Sequence, residues 1–392
     1  MDSTCSRKVR KYRTARRSRF GCRNCKLRKL KCDEEKPQCK RCISFGVLCN
    51  FMSDIPDLQP IATNIGKKML AQGETAPQIP VSSAIWTSDG VISYQLNAKC
   101  QDLITRCFER SLITADDPNT IYVNSKLLRL AFTYPYLMHA CLAVAFTYDR
   151  HLNRSGVRRS LDECYQWSQS TILFNKRLRD PIEPEDKDPI WATATAMTIL
   201  IFSSPDPCTP GESWPLKNSD QSDLNWLHMS KGKMLLWQTV NPLRPDSLFS
   251  VMTTAFAQIN TPFPERGMDG IPTALAAICY LEDSSTAGNN PYFYAAHAVS
   301  QILDLSHGEV TTAQTQVFML NIHGPFENLL WHKDPAALLL LYLWYRKASP
   351  STWWIELRAK VECPSICLYL RLYHKSNSAV QAFLPGGRLA DE

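Results

Sequence analysis

Six cysteines fall within the 28 residues from Cys22 to Cys49, spaced Cys22-x2-Cys25-x6-Cys32-x6-Cys39-x2-Cys42-x6-Cys49. The pattern is one unit, Cys-x2-Cys-x6-Cys, written twice and joined by a further gap of six. Thiolate sulfur is a good Zn²⁺ ligand, and a structural zinc takes four ligands tetrahedrally. Two ions need eight ligand positions, and six sulfurs supply them if two of the six bridge both metals. Four positive charges against six negative ones leave such a cluster at −2, so cations should gather around it. Arg23, Lys26, Arg28, Lys29, Lys31, Lys36, Lys40 and Arg41 are interleaved among the ligands. With four sulfurs on each ion no coordination position stays open, so the zinc is expected to be structural rather than catalytic. The competing reading is a disulfide knot, which belongs to short secreted chains. Residues 1–19 are basic and polar with no apolar core, so no secretory signal is expected here. Metal storage, the other competitor, would not require a ladder of cations.

These ligands need short elements to hold them. Each half can form a short helix followed by a strand or loop. Cys25 to Lys31 has neither Gly nor Pro and is built from Leu, Lys and Arg, which favour helix. Leu27 and Leu30, three apart, are expected to share a face that packs against the other half, with Arg28, Lys29 and Lys31 turned mostly away. Such a helix can carry cations into the major groove, where Lys or Arg meets the acceptors of guanine.

Gly21-Cys22-Arg23-Asn24-Cys25-Lys26-Leu27-Arg28-Lys29-Leu30-Lys31-Cys32-Asp33, followed by Lys36-Pro37-Gln38-Cys39-Lys40-Arg41-Cys42, resembles the zinc binuclear cluster of fungal transcription factors. The resemblance implies two structural zinc ions held by Cys22, Cys25, Cys32, Cys39, Cys42 and Cys49, with Cys22 and Cys39 as the bridging pair. It implies a CGG-type triplet in double-stranded DNA as the target, read by Arg28 and Lys29, with Lys26 and Lys31 as phosphate contacts. Pro37 sits where the family carries a proline between the two halves. A nuclear location follows from the same likeness.

Charge is distributed unevenly. Residues 1–50 hold sixteen Lys/Arg and four Asp/Glu, a net of +12; against whole-chain totals of 44 and 37, the remainder holds 28 basic and 33 acidic side chains, a net of −5. A nucleic-acid-binding head on a mildly acidic body is the expected arrangement. Arg7 to Arg19 carries eight cations in thirteen residues, a disordered arm suited to nuclear import or to DNA phosphates. The segments are therefore a basic arm at 1–19, the cluster at 20–51, a flexible linker at 52–94 and a regulatory domain at 95–392. The linker contains Pro56, Pro60, Pro77, Pro80, Gly66, Gly73 and Gly90 and lacks the heptads of a coiled coil. Dimerisation thus stays open, between a monomer on a single triplet and a dimer formed through the body.

From Gln95 onward the pattern is helical. Cys100, Leu103, Ile104, Cys107 and Phe108 form a buried stripe. Helices are expected at 125–132, 135–152, 159–178, 189–202, 224–240 with a break at Gly232, 247–258, 271–282, 291–305 and 311–322. Asp334 followed by Pro335 marks a helix start running to Lys347, and 352–373 contains another, strained at Pro364. The fold class is a small two-zinc cluster plus an all-α C-terminal domain. The nine cysteines outside the cluster lack a pairing rhythm and are expected to be buried free thiols. No apolar run reaches the roughly 18 to 20 residues that cross a bilayer.

Pro135-Tyr136-Leu137-Met138-His139-Ala140, Trp226-Leu227-His228-Met229-Ser230-Lys231-Gly232 and Asp334-Pro335-Ala336-Ala337-Leu338-Leu339 resemble the fungal-specific helical domain of the sterol-uptake-regulator branch. That likeness implies a hydrophobic small-molecule ligand, a sterol or another metabolite, and offers an alternative function: a ligand sensor that controls DNA binding. No enzyme motif emerges. Gly66-Lys67-Lys68 lacks the upstream Gly and the Ser or Thr of a phosphate loop, and His139 and His297 lie in apolar helices as core histidines. The function expected is a sequence-specific regulator of RNA polymerase II genes, with the transcription machinery or co-regulators as further partners and a biosynthetic gene cluster as a candidate target.

Overall fold

The computed structural model describes residues 19–27, 30–36, 39–45, 49–51, 96, 98–109, 118–153, 159–205, 209–220, 222–306 and 309–389. Arg28, Lys29, Pro37, Cys5, Cys208, the arm from Arg7 to Ser18 and the linker at 52–94 lie outside them. The chain divides into two units, Met1–Ser82 and Ser83–Glu392.

In the first unit the described helices are α1 (Arg23–Leu27) and α2 (Lys40–Phe45). The core around them is the six cysteines, with Phe51 packed against it. Helix α1 is shorter than the sequence suggests. Seven further residues of helix beyond Cys25 would carry Cys32 about 10.5 Å along the axis, yet its sulfur lies 3.9 Å from that of Cys22. The chain must therefore turn back, and Leu30 N–H closes onto Cys25 C=O at 2.9 Å. Lys31 consequently lies beyond the helix. Leu27 and Leu30 do not pack against the other half as expected: they are 54% and 42% exposed. The sulfur cluster occupies the space that an apolar face would have filled.

The second unit is helical, with no strand among its described residues. Its elements are α3 (Ala98–Glu109), α4 (Pro118–Ala131), α5 (Pro135–Asn153), α6 (Leu161–Arg177), α7 (Lys187–Ser203) and α8 (Asn225–Val240). They continue as α9 (Thr253–Ile259), α10 (Thr273–Ile278), α11 (Phe293–Leu303), α12 (Thr312–Asn321), α13 (Pro325–Trp331), α14 (Pro335–Ala348), α15 (Trp353–Tyr373) and α16 (Ser378–Ala382). Their starts follow capping chemistry. Ser160 accepts from Glu163 N–H, Thr311 and Gln314 form a capping box, and Asp334 accepts from the N–H groups of Ala336 and Ala337 ahead of Pro335, each satisfying amide donors that a helix leaves unpaired at its N-terminus.

Two apolar cores support this unit. The first gathers α3, α4, α5 and much of α7, with Leu137, Leu142, Ile190 and Leu200 fully enclosed. The second gathers α10, α11, α12, α14 and α15 around Phe293, Phe318, Leu340 and Trp344. Helix α7 belongs to both, since Met197 and Leu200 face one core while Ile199 and Phe202 face the other. A helix apolar all round is the form such a shared position demands.

Several boundaries differ from the sequence-based expectation. Helix α4 spans Pro118–Ala131 among the described residues, so it includes two turns ahead of Ser125. Gly232 does not interrupt α8, and Pro364 lies inside an unbroken α15. Helix α10 covers only Thr273–Ile278, with Tyr280 following in the left-handed region at φ 52°. Of the extra cysteines, Cys100, Cys107, Cys141 and Cys279 are buried as expected, whereas Cys164 is exposed and Cys363 and Cys367 are half-buried. No described helix is long and apolar enough to cross a membrane.

Candidate metal centre and nucleic-acid interface

Cys22 stands just ahead of α1 and Cys25 within it, and Cys39 stands just ahead of α2 and Cys42 within it. Cys32 and Cys49 return from the segments that follow, and all six sulfurs are buried. Two groups of four form: Cys22, Cys25, Cys32 and Cys39 make one, Cys22, Cys39, Cys42 and Cys49 the other, each with its sulfurs within 4.8 Å of one another. They share Cys22 and Cys39.

The donor geometry fits zinc. A tetrahedron of sulfurs about 2.3 Å from the ion has S···S edges of about 3.8 Å. Here the separations are 3.8 Å for Cys22 and Cys39, 3.5 Å for Cys22 and Cys42, 3.7 Å for Cys25 and Cys39, and 3.9 Å for Cys22 and Cys32. A disulfide needs about 2.0 Å, and all described cysteines are free. Burial first, and then the neighbouring sulfurs, push the Cys25 and Cys42 thiols far above their ordinary range, while burial drives Cys49 up to about 12. Six thiolates at this spacing therefore require cations among them. Two structural zinc ions meet that requirement.

The two halves repeat one local device. Cys25 N–H donates to Cys22 Sγ at 3.4 Å, and Cys42 N–H donates to Cys39 Sγ at 3.3 Å. The two shared sulfurs thus each accept an amide from the residue three positions later. Tethers hold the halves in register. The Asp33 carboxylate accepts from the N–H groups of Glu35, Lys40 and Arg41 at 3.1, 3.3 and 3.4 Å, fastening the first half to the start of α2. Burial raises its pKa, but these amide hydrogen bonds outweigh it and hold the carboxyl below its usual value. Asn50 Oδ1 accepts from the buried Asn24 N–H at 2.7 Å, while Asn50 C=O accepts from Arg23 N–H. Glu34 adopts φ 61°, a left-handed turn that returns the chain after Cys32.

Lys26 and Lys31 are both exposed, one on the last turn of α1 and the other beyond it. Arg28 and Lys29 lie between them, outside the described residues. Lys40 pairs with Glu35 at 3.0 Å on the surface. Asp33, Asn24 and Asn50 were not singled out from sequence as positioning residues. Their signal was available only in part: an Asp next to a ligand cysteine suggests an amide acceptor, but nothing local pairs Asn24 with a residue twenty-six positions on.

Residues 20–57 match the fungal Zn(2)-Cys(6) binuclear cluster domain. The head belongs to that family. Similarity extends well past it. The chain is 24% identical, over 88% of its length and 80% of the relative's, to a Zn(2)-C6 fungal-type transcription factor of Gibberella zeae. It is 22% identical to the Zn(2)-C6 fungal-type transcription factor afumD of Aspergillus fumigatus, covering 83% of each chain. A shorter stretch of 44 residues, 11% of this chain and 7% of the relative, is 48% identical to the aspercryptin biosynthesis cluster-specific transcription regulator atnN of Emericella nidulans. The zinc-cluster head and the helical body therefore occur together in relatives that are transcription factors.

Proposed function

We propose that the protein is a sequence-specific DNA-binding regulator of RNA polymerase II genes, acting in the nucleus. The observation that carries this is the pair of sulfur tetrads sharing Cys22 and Cys39, set in a head whose surface is cationic. In this reading Cys22 and Cys39 bridge the two ions, Cys25 and Cys32 complete one tetrahedron, and Cys42 and Cys49 complete the other. The zinc has no open position and does no chemistry; it fixes the head in shape. Arg28 and Lys29 reach the guanines of a CGG-type triplet, and Lys26 and Lys31 hold phosphates. Cations on so small a rigid frame are well suited to this, since phosphate contacts set register while base-edge contacts set sequence. The segments are the basic arm at 1–19, the cluster at 20–51, a linker at 52–94 and the regulatory body at 95–392, which presents itself to the transcription machinery. One relative's role in regulating a biosynthesis cluster favours a target of that kind. The body is not an enzyme in this account: its two fully buried histidines serve packing, His139 Nδ1 meeting Gln166 Oε1 at 2.6 Å and His297 Nε2 meeting Gly267 C=O at 3.3 Å.

Selection of preferred duplexes from a random pool, followed by titration of a Lys29→Ala variant, tests the assignment. The expected result is a CGG-containing site whose advantage over mismatched duplexes falls by about 1 to 3 kcal/mol in the variant. An equal loss on every duplex would move Lys29 to the phosphates, and selection of no common triplet would overturn the reading.

A further inference from the structure

A cavity of about 110 Å³ lies in the helical body where α4, α7, α8, α9 and α12 meet. Its wall is mostly apolar, with Val123, Trp191, Phe249, Met252, Phe256 and Ile259 supplying much of it. The lining has a single charged side chain, Lys233, from the middle of α8. Lys233 Nζ stands 4.9 Å from the centroid of the Trp191 ring. Among the described residues no carboxylate comes to it: burial alone lowers its pKa, to about 8, with no opposing contribution from an acid. The side chain is half-buried rather than sealed. Its Nζ is not one of the polar atoms that are both closed off from solvent and unpartnered, so the ammonium has accessible space before it.

Other cations of the body are matched. Arg150, Arg244 and Arg358 meet Glu163, Asp188 and Glu362. Lys333, also half-buried, donates through Nζ to Lys217 C=O at 3.0 Å. Lys233 has only the face of an indole, and the attraction of a ring quadrupole offsets just part of the hydration that an ammonium loses on burial. With a pKa of about 8 it still carries its charge for the most part at neutral pH. What the site lacks is therefore a negative charge joined to an apolar tail. Size limits that tail. An apolar cavity of about 150 Å³ holds one benzene, so this smaller one takes a chain of about four or five carbons and excludes a sterol.

We propose that this cavity binds a short-chain aliphatic carboxylate, its tail among Trp191, Phe249, Met252 and Phe256 and its oxygens accepting from Lys233 Nζ. Charge complementarity selects the head group and the volume selects the tail. The proposal does not depend on how the head reads DNA.

The test uses the full zinc-loaded chain and two probes of nearly equal shape, 4-methylpentanoate and 4-methylpentanamide, titrated while the indole N–H resonances are followed by NMR. The carboxylate is expected to bind on the order of tenfold more tightly than the amide, since a hydrogen bond between two charged groups is roughly twice as strong as a neutral one. Its binding should move the indole resonance that disappears in Trp191→Phe. Lys233→Met keeps an apolar stem over Trp191 and removes a cation that has no carboxylate, so the melting temperature should not fall. In that variant the carboxylate should lose its advantage over the amide, whereas Lys233→Arg, which keeps the charge, should retain a preference for the carboxylate. Equal binding of the two probes to the parent chain, binding of neither, an unmoved Trp191 resonance, an undiminished preference in Lys233→Met, or loss of the preference in Lys233→Arg each overturns the proposal. DNA affinity of the ligand-free samples reports on the head and is expected to be the same in all variants.

Discussion

The head and the body solve the problem of staying folded by different means. In the body, two cores of Leu, Ile, Phe and Trp exclude water, and the buried Arg150 is paired with Glu163 at 2.9 Å beside Thr147. In the head the buried set is six sulfurs, and the leucines that might have formed a core are on the surface. A unit this small cannot bury enough apolar area to offset its chain entropy, which is why domains of this size depend on metals or crosslinks. The difference means that the two units should fail under different insults.

The largest effect expected is from removal of zinc. Binding to such sites is folding free energy, about 10 to 16 kcal/mol for structural zinc at neutral pH, so a strong chelator should unfold the head and abolish DNA binding. The body, resting on apolar burial, should keep its thermal transition. Cys22→Ala should mimic the chelator, because it strips a ligand from both tetrads at once. Circular dichroism of the full chain with and without chelator, beside a DNA titration, separates the two responses. A body that melts with the head, or a head that still discriminates sequences after both ions are gone, would break the comparison.

The converse insult is Glu362→Ala. It leaves the Arg358 guanidinium and the Tyr345 hydroxyl facing each other without their shared acceptor in a buried site, and removing one partner of a buried pair costs about 3 to 5 kcal/mol. The denaturation midpoint of the body should fall accordingly. Zinc content and DNA affinity under native conditions should not change.

A finer probe falls within the head itself. Asp33→Ala removes the acceptor that ties three amides to the first half, including two at the start of α2. Loss of such a cap should loosen the hold of α2 on the first half, so zinc should be released at a lower chelator concentration in a competition. If the midpoint of that competition stays put, the two tetrads alone hold the halves together and Asp33 is incidental.

The same contrast explains what could be deduced without coordinates. The metal centre was legible because ligand chemistry is strict: cysteine spacing and the arithmetic of tetrahedral coordination are properties of the sequence. The helix starts at Asp334-Pro335 and Thr311 were legible because caps are local. The extent of α1 was not, since propensity favours continuation through Lys31 while ligation requires the chain to turn back at once. Nor were the short helices α13 and α16, whose seven and five residues are too few to show an apolar periodicity. Arg358 illustrates the limit. It caps the end of α7 from 156 residues away, and no pattern within either helix announces the other.

The smallest effect expected is a pH response confined to the body. Burial lowers the pKa of His139, His297 and His323 below the usual histidine value, against weaker opposing contributions from Gln166, from Gly267 and Asp269, and from Glu327 respectively. With folded values depressed, the unfolded chain takes up protons near pH 6.5 that the folded body refuses. Stability is therefore level above that pH and declines below it, by at most about 1.4 kcal/mol per pH unit for each histidine. His323, both of whose ring nitrogens lack partners, is the cleanest probe, and His323→Leu should remove one share of the slope between pH 6.5 and 5. The head also weakens in acid, because protons compete with zinc for thiolate. That loss is reversed by excess zinc, whereas the decline in the body is not. Denaturation midpoints of the body measured across this window, with zinc held in excess, isolate the histidine contribution; a slope unaltered by His323→Leu would assign it to other groups.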